Sequence, residues 1–370
     1  MLVLVLVLVL GLVLVPVLGL VLVLVAPFPA VALPTQNATA APATSAITKN
    51  PVRIPQYCPA AHSRPYSKRM AKPSRAHPAN VAGPWFVDDT CIDCDACRDT
   101  APTVFTSYDR DSQSIVAHQP VTPDDVLAAH RAMLLCPTAS IGVRAPRPDL
   151  AALPEPFPQP LAPGVYRCGY NSPDSFGATT YFVTRPGGNL MIDGPRWVPS
   201  LARRIADLGG LHHIFLTHRD DIGDAARYAD HFGARVWIHD ADRSAARFAT
   251  DLWRGETAID FAPDLRVIPV PGHTRGSVVF LLGDDTLFTG DSLHWSRGLG
   301  ALSAFEGACW YSWSAQATSL RALAELAPRF SWVLPGHGGH THGDPAALHQ
   351  SLLALVAGME SGVDHSEAPW

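Results

Sequence analysis

The stretch VPGHTRGS, residues 270–277, sets a histidine in a Pro-Gly turn directly after an apolar run. A His or Asp likewise follows an apolar run in LFTGDSL at 287–293, in WVLPGHGG at 332–339 and in FLTHRDD at 215–221. Apolar runs bounded by Gly and Pro are typical of buried strands, so each stretch predicts a strand that ends in a metal-ligating side chain. Because a divalent metal needs rigid N and O donors from several strands, we expect these ends to form a metal centre. Its candidate ligands are His218, Asp220, His273, Asp291 and His337.

Around these stretches, short β-type runs alternate with Ala-rich amphipathic helices. The predicted strands cover residues 179–184, 188–193, 212–217, 234–239, 265–270, 277–282, 286–290 and 331–336. The predicted helices cover residues 199–210, 224–233, 242–252 and 314–327. This alternation predicts an α/β domain over residues 164–350 in which two sheets are covered by helices.

A second set of ligands precedes this domain. Cys91, Cys94 and Cys97 form a C-x2-C-x2-C run, and Cys136, followed by proline, comes 39 residues after Cys97. Three thiolates spaced this way on a loop fit three corners of one [4Fe–4S] cubane, and a remote Cys-Pro fits the fourth. Residues 122–135 predict a capped helix that leads to Cys136. Zinc is the alternative, although zinc sites more often use two separated C-x2-C pairs.

Four further segments have compositions unlike a folded domain. Residues 1–25 are almost entirely Leu and Val, which fits a targeting signal, a membrane anchor or a translated nucleotide repeat. Residues 26–83 are rich in Ala, Pro, Ser, Thr and Arg, as a transit peptide or a disordered linker would be. Seven prolines in 144–163 predict a stiff linker between a cysteine domain, 84–143, and the α/β domain. Residues 351–370 are interpreted as a tail.

The charge distribution narrows the classes of partner. Residues 1–87 contain seven of the 28 basic residues and none of the 33 acidic ones, so the rest of the chain has a net charge of −12. A surface this acidic does not favour binding to a phosphate backbone, which argues against nucleic acid as a partner. We expect a small-molecule substrate and an electron-transfer partner, with membrane association only if the apolar N-terminus is retained.

The motifs resemble two known families. FVDDTCIDCDACRDTAP and LLCPTASIG resemble the single-cluster bacterial-type ferredoxin domain, which implies an α+β ferredoxin-like fold. PGHTRGS, FTGD and LPGHGG resemble the metallo-β-lactamase family, which implies a four-layer αβ/βα sandwich over about 164–343. Together they look like the ferredoxin-fused metallo-β-lactamase proteins of oxygenic phototrophs. The resemblance implies that Asp193 supports the metal site from behind.

The first metal loop departs from the family pattern. The family has T-H-x-H-x-D-H, whereas this chain reads THRDDIGDA at 217–225. Asp220 stands at the second histidine, Ile222 at the acid and Gly223 at the last histidine. Two extra residues would align Asp224 with the acid, but Ala225 would then replace the histidine. The resemblance implies one or two metals. Because this loop lacks an imidazole of the neighbouring site, we expect one well-held divalent metal, zinc or iron, with Asp220 or Asp224 as ligand or proton acceptor.

Three functional hypotheses follow from these features. The first is a metal-dependent hydrolase in which activated water attacks an ester- or thioester-type bond. The second is an iron-dependent oxidoreductase that receives electrons from the [4Fe–4S] cluster. The third is a redox-sensing or binding protein without catalysis. The composition of 26–83 and the family resemblance predict a plastid location, with a membrane-anchored or cytoplasmic protein as the alternative.

Overall fold

The computed structural model describes residues 70–363, except 109, 146–148, 155 and 327–328. The predicted apolar segment, most of the transit-like segment and the end of the predicted tail lie outside the described residues. Across the part of the chain that is described, no helix combines the length and apolarity needed to cross a bilayer.

The cysteine domain is a small α+β unit. Its elements are β1 Trp85–Val87, α1 Ala96–Thr100, β2 Phe105–Tyr108, β3 Gln113–Val116, α2 Pro123–Leu135 and β4 Ile141–Val143. Strands β1 and β4 pair antiparallel, as do β2 and β3. Helix α2 starts with a capping box in which the Asp125 N–H donates to Thr122 Oγ1 at 3.1 Å, which satisfies one of the free donors of the first turn. The predicted helix is confirmed, and Cys136 follows its last residue.

The first sheet of the α/β domain has seven strands. They are β5 Gln159–Ala162, β6 Val165–Arg167, β7 Tyr181–Val183, β8 Leu190–Ile192, β9 His213–Phe215, β10 Arg235–His239 and β11 Asp251–Trp253. They lie in the order β11-β10-β9-β8-β7-β6-β5. Strands β8 to β11 are parallel, whereas β5 to β8 are antiparallel. The carboxyl ends of β8 and β9 therefore meet at one edge.

The second sheet has six strands. They are β12 Ile259–Ala262, β13 Leu265–Pro269, β14 Val278–Leu282, β15 Thr286–Gly290, β18 Trp332–Pro335 and β19 Thr341–His342, in that order across the sheet. Strands β15 and β18 are parallel, so their carboxyl ends also meet. Between β15 and β18 in the sequence, β16 His294–Ser296 and β17 Ala301–Ser303 pair as a separate antiparallel hairpin.

Helices cover the outer face of each sheet. They are α3 Pro199–Asp207, α4 Ala225–Phe232, α5 Trp313–Leu326 and α6 Pro345–Ser361. Helices α3 and α4 share a core with the seven-stranded sheet, and α5 and α6 with the six-stranded sheet. Between the sheets lies a third core that includes Phe215, Phe280 and Phe288. Each such phenylalanine contributes about 1.5–3 kcal/mol through burial. The result is the four-layer metallo-β-lactamase sandwich that the sequence predicts.

All eight predicted strands of this domain are present, and three of its four predicted helices are confirmed. The helix predicted over 242–252 is wrong, because this stretch contains the end of a 3-10 helix, Asp240–Ala245, and the start of β11. Two predicted boundaries also differ from the fold. The linker ends in β5, an edge strand where proline is tolerated. The boundary at 350 falls inside α6, whose apolar face packs on α5.

Candidate functional sites

The iron–sulfur site is organised by the loop that precedes α1. Asp93 and Asp95 adopt left-handed backbone conformations with φ of 56° and 64°. The buried Arg98 binds both carboxylates and also donates to Ser114 Oγ at 2.9 Å. Charge-assisted bonds of this kind fix the loop that carries Cys91 and Cys94 and leads to Cys97 in α1.

The four cysteines converge as a cluster site requires. All are free thiols, and burial raises the pKa of Cys91, Cys94 and Cys97, with Cys136 raising each of them further. Backbone N–H groups point at sulfur: Ser114 N lies 3.4 Å from Cys91 Sγ, and Ser140 N lies 3.3 Å from Cys136 Sγ. Such donors stabilise sulfur that carries negative charge. These residues therefore fit a [4Fe–4S] cluster.

The metal centre of the α/β domain is formed where strands of both sheets end. His218 lies three residues after β9, His273 lies between β13 and β14, Asp291 follows β15, and His337 follows β18. Gly336 is required by this packing, since a Cβ there would lie 2.6 Å from Asp221 Oδ2 and 2.8 Å from Asp291 Oδ1. The sheet ends thus bring together residues that are far apart in the sequence.

Four donors face one another at this centre. Asp291 Oδ2 lies 3.6 Å from His218 Nε2 and 3.7 Å from His273 Nε2. Asp220 Oδ2 lies 3.6 Å from His273 Nε2 and 3.9 Å from His218 Nε2. These separations exceed hydrogen-bonding distance but suit donors that share one ion at about 2.0–2.2 Å from each.

The tautomer of His218 is set from behind by two side chains. Thr217 Oγ1 donates to Asp193 Oδ2 at 2.8 Å and lies 2.9 Å from His218 Nδ1. Because it donates to Asp193, Thr217 Oγ1 is able to accept from His218 Nδ1–H, and in that tautomer the lone pair of Nε2 faces the centre. Burial lowers the pKa of His218 to about 4, so the ring is neutral at physiological pH. The structure thus places Asp193 behind the metal loop.

Asp221 stands at the end of a predicted strand with His218 and Asp220, but the sequence analysis did not count it among the ligands. It belongs with His218 and Asp291 to a second group of converging donors beside the group of His218, Asp220 and His273. It is fully buried, and neither carboxylate oxygen has a hydrogen-bond partner among the described residues. Burial raises its pKa well above the ordinary value, as do the nearby charges of Asp291 and Asp193.

The structure places Asp224, predicted as a ligand or proton acceptor, elsewhere. Its Oδ2 accepts the N–H of Trp197 at 2.7 Å, and Asp224 precedes the first turn of α4. It belongs to neither group of converging donors among the described residues. The two residues after Asp221 turn the chain away from the centre, because Gly223 has a φ of 46° and packs against the backbone of Gly194.

His337 and His294 lie beside the four donors. His337 Nδ1 is 2.9 Å from Asp291 Oδ1 and 3.0 Å from Oδ2. Burial opposes ionisation of Asp291, but His337 first and then His218 and His273 outweigh it and lower the pKa of this carboxyl. His294 is buried, stacks on Phe305 with 3.8 Å between ring centroids, and has its pKa lowered by burial to about 3.

These residues fit a divalent ion. Buried His218 Nε2, Asp220 Oδ2 and His273 Nε2 lack hydrogen-bond partners among the described residues, and each faces the others. Leaving such groups unpaired in a protein interior costs about 1–3 kcal/mol each, and an ion held between them removes that cost. The mixed imidazole and carboxylate donor set suits zinc or iron.

The two sites belong to domains that are joined by buried charge pairs. Arg297 Nη2 lies 2.5 Å from both carboxylate oxygens of Asp95, the residue after Cys94. Asp99 of α1 accepts from Arg167 Nη2 at 2.5 Å and lies 3.0 Å from His340 Nδ1. Removing one partner of a buried pair typically costs about 3–5 kcal/mol, so these contacts hold α1 firmly against the α/β domain.

Family models match both domains. Residues 163–355 match the model described as the metallo-beta-lactamase superfamily, and residues 87–143 match the 4Fe-4S single cluster domain of Ferredoxin I. The match to the metallo-beta-lactamase superfamily model covers more than half of the chain. The fold of the α/β domain and its converging metal donors agree with this match. The chain therefore belongs to the metallo-β-lactamase superfamily. It carries a single-cluster ferredoxin-type domain ahead of the metallo-β-lactamase domain.

Curated relatives match part of the chain. The hydroxyacylglutathione hydrolase of Acidiphilium cryptum (strain JF-5) is 35% identical over 162 residues, 42% of this chain and 63% of the relative. That of Anaeromyxobacter dehalogenans (strain 2CP-C) is 32% identical over 190 residues, 50% of this chain and 58% of the relative. The chain thus spans less than two thirds of the length of these relatives.

Solved structures also align with the chain. The metallo-β-lactamase FIM-1 from Pseudomonas aeruginosa in its mono-zinc form aligns with a TM-score of 0.44 and 17% identity, covering 56% of this chain and 96% of that one. The superfamily protein ST1585 from Sulfolobus tokodaii aligns with a TM-score of 0.38 and 22% identity, covering 53% and 86%.

Proposed function

We propose that the protein is a metal-dependent hydrolase that cleaves an ester- or thioester-type bond in a small molecule. The observation that carries this proposal is the convergence of His218, Asp220, His273 and Asp291, whose facing N and O atoms lie 3.6–3.9 Å apart. The hydrolytic names of the curated relatives agree with it and point to hydroxyacyl thioesters as the first substrates to test.

The burial of each residue indicates its role in the proposed reaction. His218, His273 and Asp291 are almost fully buried and would hold a zinc or iron ion, with Asp220 completing the set. When bound, such an ion polarises a carbonyl oxygen and lowers the pKa of water. The Asp220 side chain is 29% exposed, although its Oδ2 is buried, so it is the residue of the four that lies nearest to solvent. Burial opposes its ionisation, but the contact with His273 and the nearby His218 outweigh it and lower its pKa, so Asp220 is ionised, as a metal ligand or proton acceptor must be.

One ion would be held tightly and a second weakly. The group of His218, Asp220 and His273, with Asp291 beside it, offers two imidazoles and two carboxylates to a single ion. The neighbouring group, Asp221 with Asp291 and His218, shares two of its members with the first. We therefore expect one metal equivalent to survive dialysis and a second to bind only when metal is in excess.

The test is a hydrolysis assay on protein purified without oxygen and with its metals counted. We expect zinc in addition to the four cluster irons, and release of thiol from a hydroxyacyl thioester. His273→Ala should abolish both the extra metal and the thiol release while the cluster stays. A protein that holds the extra metal but cleaves neither esters nor thioesters would contradict the proposal.

An iron-dependent oxidoreductase fed by the cluster is the second candidate. The closeness of the two sites favours it: Cys94 Sγ contacts Gly177, and the adjacent Phe176 ring lies 6.1 Å from the His337 ring. Metal analysis separates the two candidates, since more than four irons per chain would support the oxidoreductase and zinc beside four irons would support the hydrolase. Here an electron-transfer partner would have to deliver electrons to the cluster.

We further propose that this protein is one of the ferredoxin-fused superfamily members of oxygenic phototrophs and works in a plastid. The order of the two domains supports the first part, and the acid-free, basic composition of 26–83 supports the second. A fluorescent fusion of residues 1–83 tests the location. Fluorescence that coincides with chlorophyll is expected, whereas a plasma-membrane or cytoplasmic signal would contradict it.

A further inference from the structure

A short segment, residues 170–177, lies between the iron–sulfur site and the metal centre and is called the bridging segment below. Its backbone is tightly folded, since Tyr170 and Phe176 adopt left-handed conformations with φ of 51° and 49°. The buried Asn171 side chain donates to Gly177 O at 2.6 Å and so closes the two ends of the segment on each other. Left-handed non-glycine residues persist only where the surroundings hold them, which indicates a fixed element.

On one side, the bridging segment contacts both parts of the cysteine domain that hold the cluster. A Cβ on Gly177 would lie 2.9 Å from Cys94 Sγ and 2.9 Å from Pro137 Cγ, so the glycine backbone rests directly on a ligand sulfur. Asn171 N–H donates to the carbonyl of Leu135, the residue before Cys136, at 3.2 Å. A change in the position of either cysteine is therefore transmitted to this segment.

On the other side, the bridging segment contacts the metal centre. The centroids of the Phe176 and His337 rings lie 6.1 Å apart. Phe176 is 41% exposed, so hydrophobic burial of this residue is incomplete and does not explain why its ring lies there. Ser172 Cβ would lie 3.3 Å from a Cβ on Gly223, within the metal loop. Just beyond the segment, Thr179 N–H donates to the carbonyl of Gly336, the neighbour of His337, at 2.7 Å.

We infer that the bridging segment couples the two sites: Phe176 is a positioning residue for His337, and Gly177 makes that position depend on the iron–sulfur cluster. His337 in turn holds the Asp291 carboxylate through the contacts at 2.9 and 3.0 Å. The oxidation state of the cluster then changes the affinity of the α/β domain for its metal, and metal binding shifts the reduction potential of the cluster by the same free energy. This inference does not depend on which bond the protein cleaves.

The sign of the coupling follows from charge. Reduction adds one electron, taken from an external donor, to the [4Fe–4S] unit, and this extra negative charge favours a cation bound nearby. We therefore expect zinc to bind more tightly when the cluster is reduced, and zinc to raise the cluster's reduction potential. Couplings of this kind are about 5–150-fold, and a tenfold change corresponds to 59 mV for a one-electron couple.

The experiment uses the full chain with its cluster in place. Zinc affinity is measured by competition with a chromophoric chelator, once with the cluster oxidised and once after photoreduction. The reduction potential is measured with and without zinc by a titration that is followed by electron paramagnetic resonance. We expect at least a fivefold difference in zinc affinity between the two oxidation states, with a matching shift in potential. Equal affinities together with an unchanged potential would overturn the inference.

Two variants separate the bridging segment from direct attraction through space. Phe176→Ala should weaken zinc binding about tenfold, as loss of an outer contact to a ligand does, and should reduce the coupling. Phe176→Leu should restore part of both. Phe248→Ala is the matched control, because Phe248 is 39% exposed and lies outside the bridging segment, and it should behave as the wild type.

Each remaining outcome decides the matter. If Phe176→Ala binds zinc with wild-type affinity and keeps the coupling, then Phe176 does not position His337 and the inference fails. If this variant loses its cluster, Phe176 acts on cluster assembly and the assignment to His337 is wrong. Since every readout is a metal affinity or a potential, a failed hydrolysis assay leaves these results interpretable.

Discussion

The iron–sulfur site and the metal centre differ in how much of the chain is needed to build them. Three of the four cluster ligands lie within seven residues, on a loop fixed by two left-handed aspartates and by Arg98. The metal centre draws its donors from loops that follow strands of two separate sheets. Spacing in the sequence is therefore enough to identify the first site, whereas the second depends on the register and order of the strands.

The largest expected effect tests the local site. Cys94→Ser should remove one corner ligand and leave a three-iron cluster or none, because serine replaces the thiolate that the site requires. The measurement is iron and sulfide per chain, together with the visible spectrum, on protein purified without oxygen. Cys168→Ser is the control, since Cys168 is fully buried in the other domain and should leave the cluster intact. A full complement of iron and sulfide in Cys94→Ser would refute the assignment.

The next effect tests the site built from distant strands. Asp291→Ala removes the carboxylate that lies between His218 and His273 and also contacts His337. We expect metal affinity in this domain to fall by more than about 100-fold, since even outer partners of ligands are worth 10–100-fold. Chelator competition on the protein with its cluster measures this. Asp230→Ala, at an exposed aspartate of α4, should bind metal normally, and a similar loss there would mean that the effect is not local.

The strands show what a sequence can predict here. Runs such as VVFLL and TLFTG contain no charged residue because both of their faces are buried, and they were predicted correctly. Strands β16 and β17 were missed, since they form an isolated hairpin with no such run. The stretch 242–252 has a helical composition, but pairing of β11 with β10 overrides it. Helix α6 was missed because most of it lies in residues 351–370, which were interpreted as a tail.

The metal loop shows where spacing fails. Alignment by spacing puts Ile222 or Asp224 at the position of the family's acid, but the structure brings Asp221 to Asp291 instead. The direction of a side chain after a strand depends on the backbone conformation of the turn, which residue spacing in the sequence does not reveal. Two consecutive aspartates after an apolar strand were the one signal in the sequence, because an aspartate next to a buried run needs a partner.

The third prediction contrasts Asp221→Asn with Asp224→Asn. Asp221→Asn should weaken the binding of a second metal equivalent about tenfold or more, whereas Asp224→Asn should change it little, because an amide oxygen still accepts the Trp197 N–H. Metal titration past the first equivalent is the measurement. If the two variants trade these behaviours, the sequence-based alignment of Asp224 with the acid is correct after all.

Asp221 also predicts a pH dependence. Its pKa is raised in the folded protein, so the folded state keeps a proton that the unfolded state loses above the ordinary value of 3.8. Its contribution to stability is therefore complete below pH 3.8 and is lost as pH rises through the raised pKa. In the presence of a chelator, Asp221→Asn should melt a few degrees higher than the wild type at neutral pH, and the gap should narrow as pH falls towards 4. A gap that widens on acidification would contradict the sign.

The smallest expected effect concerns the groups that hydrogen-bond to the ligands of each site. At the iron–sulfur site backbone N–H groups donate to Cys91 and Cys136, and only proline at Ser114 or Ser140 would remove them. At the metal centre the support is the chain of side chains from Asp193 through Thr217 to His218 Nδ1, so one substitution can break it. This difference makes the metal centre the more easily tuned of the two sites.

Thr217→Val tests that difference. Valine keeps the shape of the side chain against Gly290 but leaves His218 Nδ1 and Asp193 Oδ2 without their partner. We expect about a tenfold loss of metal affinity and about 1–3 kcal/mol of stability, with the cluster spectrum unchanged. Thr217→Ser keeps the hydroxyl and should bind metal within about twofold of the wild type, because the hydrogen bond is retained. If serine weakens binding and valine does not, packing of the methyl group supports His218, and the hydrogen-bonded chain does not.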